Sequence, residues 1–235
     1  MAKVIPIRGE NKDKIRLPGT SDRIAIIGHT GSGKSQAALW HLSNVNFDRM
    51  PWIIVDPKEE EKINSIEGAT YIENWEVPKK PGIYILPTTR YDLNELDEYF
   101  AALLDRQNVG VYIDEGSECG FGPGFETFLT RGRSRHCPAI VLTQRPINIS
   151  RYAFSEAQFF QCFPITDERD YKVLRGMAKI PNFDEVTIPQ FSSFYYDVRW
   201  KRCYFMHPVP KIDAILDRIE TRLEPLTETR KVRYM

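Results

Sequence analysis

Short apolar runs, many of them rich in β-branched residues, recur along the chain. They occupy residues 23–27, 52–55, 82–87, 109–113, 139–143 and 157–165. Runs of this length are typical of strands that are buried on both faces of a parallel sheet. Asp-Pro at residues 56–57 ends the second run, since proline cannot continue a central strand.

Segments with helical periodicity separate several of these runs. Apolar residues at helical spacing after Asp92 predict one helix, and segments 35–42 and 125–133 predict two more. Strands that alternate with helices predict an α/β fold with a mostly parallel sheet and right-handed crossovers. Residues 192–206 differ, because two strand-like runs joined near Arg199–Lys201 predict an antiparallel hairpin on the sheet edge.

The segment IIGHTGSGKSQAALW, residues 26–40, fits the pattern G-x-x-x-x-G-K-[ST] at each fixed position. Glycines between a strand and a helix let successive backbone N–H groups face an anion at the helix N-terminus. The predicted nucleotide-binding residues are Gly28, His29, Thr30, Gly31, Ser32, Gly33, Lys34, Ser35 and Gln36. Lys34 would reach the β- and γ-phosphates of ATP, and the Ser35 hydroxyl would bind Mg²⁺. The alternative is a glycine-rich turn that matches by chance.

Two acids follow the strand VGVYI, about 80 residues after the phosphate loop. Asp114 at the strand end is placed to hold Mg²⁺, and Glu115 is placed to polarise the attacking water as a general base. An ordinary strand end with solvated acids is the alternative. Nucleotide kinases also carry a phosphate loop, but an acidic pair here fits a hydrolase better.

Gln144 ends the strand AIVLT. Because the carboxyl ends of parallel strands share one crevice, Gln144 would lie near Lys34 and Asp114. It could sense the γ-phosphate or orient the water, or it could simply cap a loop.

Three arginines, Arg131, Arg133 and Arg135, alternate in the segment TRGRSRHCP before that strand. A solvated basic loop is one interpretation. The other is that one arginine reaches the nucleotide of a neighbouring subunit and stabilises transition-state charge. The residues themselves leave both open.

The overall composition fits one domain and excludes several classes of protein. The 235 residues are 42% hydrophobic and 12% aromatic, enough for one sizeable core. The 32 basic and 32 acidic residues balance, so any DNA contact must come from local patches.

No apolar run is long enough for a signal peptide or a membrane span, which predicts a soluble protein. Cys119, Cys137, Cys162 and Cys203 lack metal-site spacing and are expected to be reduced thiols of a cytosolic setting.

Four segments together, GHTGSGKS, IIVDPKEE, VYIDE and GRSRHCPAIVLTQRP, resemble the FtsK/HerA superfamily of DNA-pumping ATPases in order and spacing. The resemblance covers about residues 22–206 and implies a RecA-like core of the ASCE class. The compact size is similar to the genome-packaging ATPases of tectivirus-like bacteriophages with internal membranes. The resemblance implies an N-terminal extension at 1–20, an ATPase domain at 21–210, and a C-terminal helix and basic tail at 211–235.

The resemblance also implies roles for individual residues. Lys34 and Ser35 would bind phosphates and Mg²⁺, Asp114 would bind Mg²⁺, Glu115 would activate water, and Gln144 would sense the γ-phosphate. Arg133 best matches the family arginine, with Arg135 second. The resemblance implies a homo-oligomeric ring, a hexamer, that acts on double-stranded DNA at a capsid or portal vertex. The membrane-spanning N-terminus of chromosome translocases is missing, which favours a minimal motor docked by another protein.

The DNA-contacting residues are the least defined. Loops at 120–124 and 145–151 are candidates, with Arg145 and Arg151 as charges for phosphate contacts. The same glycines and arginines could serve tight turns and a solvated surface. The RWKR turn at 199–202 could bind DNA or a capsid component, or could protect an edge strand.

Three functions fit these features. The first is an ATP-driven translocase that packages a viral genome. The second is a nucleotide-dependent assembly or secretion protein like the morphogenesis ATPases of filamentous phages, which usually carry a membrane span. The third is a small-molecule kinase, which should hydrolyse ATP poorly on its own.

Overall fold

A computed structural model of the chain describes residues 4–6, 15–89, 91–180, 183 and 187–232. Within these residues the strands are β1 (Val4–Pro6), β2 (Arg23–Ile27), β3 (Pro51–Asp56), β4 (Thr70–Tyr71), β5 (Gly82–Pro87), β6 (Gly110–Ile113), β7 (Ala139–Thr143), β8 (Phe159–Cys162), β9 (Ser193–Asp197) and β10 (Arg202–Met206). They form one sheet in the order β1-β10-β9-β8-β2-β7-β6-β3-β5-β4. All neighbours pair in parallel except β9, which is antiparallel to β8 and β10.

Helices cover both faces of this sheet. They are α1 (Lys34–Leu42), α2 (Glu61–Asn64), α3 (Leu93–Arg106), α4 (Pro123–Arg131), α5 (Tyr152–Ser155), α6 (Glu168–Met177) and α7 (Ile212–Val232). Successive strand side chains point to opposite faces, so Ala25 and Ile27 join the core under α3 and α4, whereas Ile24 and Ile26 join the core under α1 and α7. The sequence prediction of an α/β fold with a mostly parallel sheet is therefore confirmed.

The C-terminal hairpin forms as predicted, but its position was predicted wrongly. Arg202 pairs with Asp197 across the turn between β9 and β10. The sequence placed this hairpin at the sheet edge, whereas β1 pairs in parallel with β10 and lies outside it, with Val4 opposite Cys203. Three residues are too few to read as a strand from periodicity, so only the long-range pairing identifies β1.

The four cysteines are buried free thiols, in agreement with the sequence prediction of reduced thiols. Burial raises the pKa of the Cys162 thiol well above its ordinary value, which favours the protonated form. Across the described residues, no helix has both the length and the apolar character needed to cross a membrane.

Close packing between two neighbouring strands gives a test of the fold. Gly110 lies directly opposite Trp52 in the β3–β6 pair, and a Cβ at residue 110 would meet the indole Cε2 at 2.2 Å. Because Trp52 is almost fully buried, its ring cannot move aside without displacing packed neighbours. We expect Gly110→Ala to lower the free energy of unfolding by about 2 kcal/mol, measured by urea denaturation.

Gly176→Ala is the matched control. A Cβ there would have no atom within 4 Å, and the residue lies in α6. This change should leave stability equal or raise it by roughly 0.5 kcal/mol, because alanine favours a helix over glycine. Equal stability of the two variants would contradict the packing described for Trp52.

Candidate active site

Four parallel strands place the predicted site residues at one edge of the sheet. β2, β3, β6 and β7 run in the same direction, so their carboxyl ends open into a single cleft. The cleft is lined from the phosphate loop by Thr30, Gly31, Gly33, Lys34, Ser35 and Gln36, and from other strand ends by Lys58, Asp114 and Gln144.

Backbone hydrogen bonds hold the phosphate loop on the sheet. The N–H of Gly28 donates to the Thr143 carbonyl at 3.3 Å, and the N–H of His29 donates to the Pro164 carbonyl at 3.2 Å. A Cβ on Gly28 would lie 2.6 Å from the Phe163 Cβ, so the loop tolerates only glycine there. Gly33 has φ of 98°, a left-handed conformation that bends the chain into α1.

The other loop side chains make local contacts. The His29 ring is bonded to the Thr30 carbonyl at 2.6 Å, and Gln36 donates to the Pro210 carbonyl at 2.7 Å. The Ser32 hydroxyl is buried and has no hydrogen-bond partner among the described residues. The side chains of His29 and Gln36 are thus bonded to the protein itself, which leaves backbone groups as the principal anion donors of the loop.

Lys34 brings a buried positive charge to this loop. Its side chain lies in the first turn of α1, the residue is only 6% exposed, and no side-chain ion pair joins it to the described residues. Burial and the neighbouring Lys58 lower the pKa of Lys34, whereas Glu115 and Asp114 raise it. A buried ammonium beside a second cation favours an anion in the cleft.

Asp114 follows β6 and is almost fully buried. Burial raises the pKa of its carboxyl to about 6, with Asp56 and Glu60 adding to the rise and Lys58 opposing it. The Tyr112 hydroxyl donates to this carboxylate at 3.4 Å. A carboxylate and the Ser35 hydroxyl on one cleft are oxygen donors of the type that Mg²⁺ takes beside nucleotide phosphates, so the residues fit this ion.

Glu115 uses both of its oxygens in hydrogen bonds. Oε1 accepts from the Ser117 hydroxyl at 2.8 Å and from the Gln144 N–H at 3.3 Å, and Oε2 accepts from the Lys58 ammonium at 2.9 Å. Burial alone would raise the pKa of Glu115, but the Lys58 ammonium and the two other donors lower it overall. Glu115 is therefore held as a carboxylate with every oxygen engaged.

Lys58 is the cleft residue to which the sequence assigned no role. It lies in the turn after β3, where the buried Asp56 carboxylate accepts the backbone N–H groups of Lys58 and Glu60 at 3.0–3.3 Å. The segment IIVDPKEE contributed to the family resemblance, but its lysine reaches Glu115 only through the β3–β6 pairing. Its position directly after a strand that ends in Asp-Pro was the available signal.

Phe191 also lines the cleft and was not predicted. It has a left-handed φ of 61° and remains 47% exposed. Its ring packs over Gly33, where a Cβ would lie 3.2 Å from the ring Cδ1. The aromatic side chain thus forms one wall beside the phosphate loop.

Gln144 lies in the cleft as the sequence predicted. Its Oε1 accepts from the Thr30 hydroxyl at 2.6 Å, and its backbone N–H donates to Glu115. The residue therefore joins the end of β7 to the phosphate loop and to the acid after β6.

The three arginines are not brought to this cleft within one chain. Arg131 ends α4, and Arg133 and Arg135 lie in the following 3₁₀ turn, exposed, before the amino end of β7. Arg133 acts electrostatically on Arg23, the first residue of β2, whereas the phosphate loop follows the last residue of that strand. Strand geometry separates those two ends by about 13 Å.

The loops predicted to contact DNA differ in how much free charge they offer. Arg145 donates to Asp167 and Asp170 at 2.8 and 2.7 Å, which neutralises its charge locally. Arg151 is exposed, as is Phe121, at 60%. The predicted loop at 120–124 is shorter than expected, because α4 already begins at Pro123. In the turn at 199–202, the Arg202 guanidinium lies 5.7 Å from the Trp200 ring centroid.

The fold and this cleft define a P-loop nucleoside triphosphatase. A phosphate loop joins a central parallel strand to a helix, and an acidic pair ends a strand on the same edge. Comparison with known proteins identifies the family within this class.

The chain is 40% identical to the DNA packaging ATPase P9 of Enterobacteria phage PRD1 over 216 residues, which are 88% of this chain and 95% of that protein. It therefore belongs to the family of the PRD1 packaging ATPase, and the predicted resemblance to tectivirus-like packaging ATPases is confirmed. No protein-family model matches the chain.

Solved structures share the fold at low identity. The genome packaging NTPase B204 of Sulfolobus turreted icosahedral virus 2, in complex with AMP, aligns with a TM-score of 0.66 at 15% identity, covering 82% of this chain and all of B204. Its complex with ATP-gammaS gives 0.65 at 14% identity over the same shares. EccC of Thermomonospora curvata gives 0.60 at 11% identity, covering 92% of this chain and 45% of EccC.

The geometry of Lys34 gives a binding test. We expect Lys34→Ala to weaken ATP binding by at least about 30-fold, because an ammonium facing phosphates is removed. Isothermal titration with a non-hydrolysable ATP analogue measures this loss. Lys62→Ala, which removes a lysine paired with Glu60 at 3.8 Å in the same cleft, is the control and should change affinity less than three-fold. Equal losses would show that general cleft charge, rather than Lys34, determines binding.

Proposed function

We propose that this chain is an ATP-hydrolysing motor that moves double-stranded DNA into a preformed viral capsid. The observation that carries the proposal is the meeting of Lys34, Asp114 and Glu115 at one sheet edge in a chain of the P9 family. The PRD1 relative is named a DNA packaging ATPase, and the B204 structures contain AMP and ATP-gammaS.

In this proposal, hydrolysis uses groups that line the cleft, together with Glu115, which is bonded to the cleft residues Lys58 and Gln144. Backbone N–H groups of the phosphate loop and the Lys34 ammonium bind the phosphates. Glu115 accepts a proton from the attacking water as general base, and Gln144 orients that water or senses the γ-phosphate. The hydrogen bond between Thr30 and Gln144 supports a link between the nucleotide and β7.

Ser35 and Asp114 would hold Mg²⁺ in this proposal. When bound, the ion neutralises phosphate charge during hydrolysis. The buried Asp114 carboxylate is a hard oxygen ligand that suits magnesium better than a softer metal.

We further propose that the chain works as a homo-oligomeric ring, most simply a hexamer. Arg133, or else Arg135 or Arg131, would reach the nucleotide of a neighbouring subunit. Supporting this, the arginine turn lies at the amino ends of the strands and the phosphate loop lies at their carboxyl ends. Each subunit could then offer an arginine from one edge and a nucleotide from the other.

The ring would act at the packaging vertex of the virion in the host cytoplasm, docked on capsid or portal proteins. DNA would be gripped through its phosphates without sequence preference. Of the two loop arginines, Arg151 is the better contact, because Asp167 and Asp170 already neutralise Arg145. Phe121, which is exposed just before α4, would pack against the DNA surface.

The ATPase rate tests the proposed function directly. We expect long double-stranded DNA of any sequence to stimulate hydrolysis several-fold at low salt, and less at moderate salt, because phosphate contacts release counterions. A coupled steady-state assay measures this rate. Glu115→Gln should bind ATP and lose turnover by at least 100-fold, which separates the enzyme from contaminating ATPases.

Two results would contradict this function. Hydrolysis that ignores DNA at every salt concentration, even with capsid proteins added, would favour an assembly or secretion ATPase. Vigorous hydrolysis by Glu115→Gln would remove Glu115 from the role of base.

Mixed rings test the arginine. We expect mixtures of Arg133→Ala and Lys34→Ala subunits, each inactive alone, to regain part of the ATPase activity, because an Arg133→Ala subunit keeps an intact phosphate loop and receives Arg133 from its neighbour. The ATPase rate at each mixing ratio measures this recovery, and mixtures of Glu115→Gln with Lys34→Ala subunits, both altered within their own site, should show none. No recovery at any ratio would show that Arg133 does not act across subunits.

A further inference from the structure

The carboxylate proposed as the general base is engaged by three donors, one of which is a cation. Glu115 accepts hydrogen bonds from the Ser117 hydroxyl, from the Gln144 backbone N–H and from the Lys58 ammonium. The ammonium of Lys58 lies 2.9 Å from Oε2, and Glu115 itself is 3% exposed. While the Lys58 ammonium donates to Oε2, its positive charge makes the carboxylate a weaker base toward a water molecule in the cleft.

Of the three donors, Lys58 is the one that can leave. Gln144 donates through its backbone at the end of β7, and Ser117 belongs to the short 3₁₀ turn after Glu115. The Lys58 side chain is 34% exposed and is a flexible four-carbon stem. Its backbone, in contrast, is fixed by the buried Asp56 carboxylate. The ammonium can therefore move while its base stays in place.

The cleft gives Lys58 a second partner when ATP enters. Lys58 lines the same cleft as Lys34, Ser35 and Asp114, so its side chain lies among the groups that surround the phosphate site. The ammonium groups of Lys34 and Lys58 repel one another, and an anion bound between them offsets this repulsion. A terminal phosphate carries more negative charge than one carboxylate and accepts several hydrogen bonds.

We propose that Lys58 is a nucleotide-sensing latch: it holds Glu115 in the empty and ADP states and transfers to the γ-phosphate of ATP, which frees Glu115 to receive the attacking water. This inference rests on the proposed ATPase function and assigns Lys58 as a positioning residue. ADP lacks the γ-phosphate, so the ion pair persists with ADP. The latch therefore couples readiness for hydrolysis to the presence of the phosphate to be cleaved.

The latch predicts how Lys58 and Glu115 depend on one another in nucleotide binding. Affinities for the β,γ-methylene analogue of ATP and for ADP are measured by isothermal titration, without turnover. We expect Lys58→Met to weaken analogue binding about ten-fold and to leave ADP binding within two-fold. Lys58→Arg keeps a cation on a long stem and should restore most of the analogue affinity. Lys62→Met, altered in the same cleft but paired with Glu60, should change neither affinity.

Glu115→Gln completes a double-variant cycle. With no carboxylate to hold the ammonium, this variant should bind the analogue several-fold more tightly than the wild type and bind ADP equally well. In the Lys58→Met background, the same change should give little or no gain, because there is no latch to release. Simple removal of a negative charge near the phosphates would strengthen analogue binding equally in both backgrounds.

Two results would overturn the latch. One is an unchanged ratio of analogue to ADP affinity in Lys58→Met, and the other is the same gain from Glu115→Gln with and without Lys58. Thermal unfolding of each variant checks that it is folded, because Lys58→Met leaves the buried Glu115 carboxylate without its cation. Because binding is measured, failure of the latch leaves the ATPase function untouched, whereas loss of that function would show as absent turnover in the wild type.

Discussion

The parallel alignment of four central strands is the constraint on which the rest of the structure depends. β2, β7, β6 and β3 are hydrogen-bonded in fixed register and buried on both faces, so none can slide without moving apolar side chains out of a core. Their carboxyl ends therefore keep a constant relation. Residues from four separate parts of the chain meet in one cleft because of this register.

Within the cleft, neighbouring acids acquire opposite properties from their surroundings. Asp114 and Glu115 are adjacent and both are buried, yet the pKa of Asp114 is raised to about 6 and that of Glu115 is lowered. The difference comes from direct hydrogen bonds, since Lys58, Ser117 and the Gln144 backbone all donate to Glu115. Lys58 is thus one of three donors that set the state of the proposed base, and it brings the turn after β3 to the candidate active site.

The two ends of the parallel strands carry different functional groups. The carboxyl edge holds the phosphate loop, whereas the amino edge carries the exposed turn with Arg133 and Arg135. In a ring, such a division would let one subunit respond to the nucleotide of the next.

The sequence by itself determined the features that depend on neighbouring residues along the chain. Apolar runs gave the strands, the glycine pattern gave the phosphate loop, and strand ends gave Asp114, Glu115 and Gln144, because each signal lies within a few residues. Only the tertiary structure decided which distant groups pair. Lys58 pairs with Glu115 across 57 positions of the chain, and Arg145 pairs with Asp170 across 25. The pairing of β1 with β10 joins residues roughly 200 positions apart. Such partners are selected by strand order and register, for which a single sequence carries no local pattern.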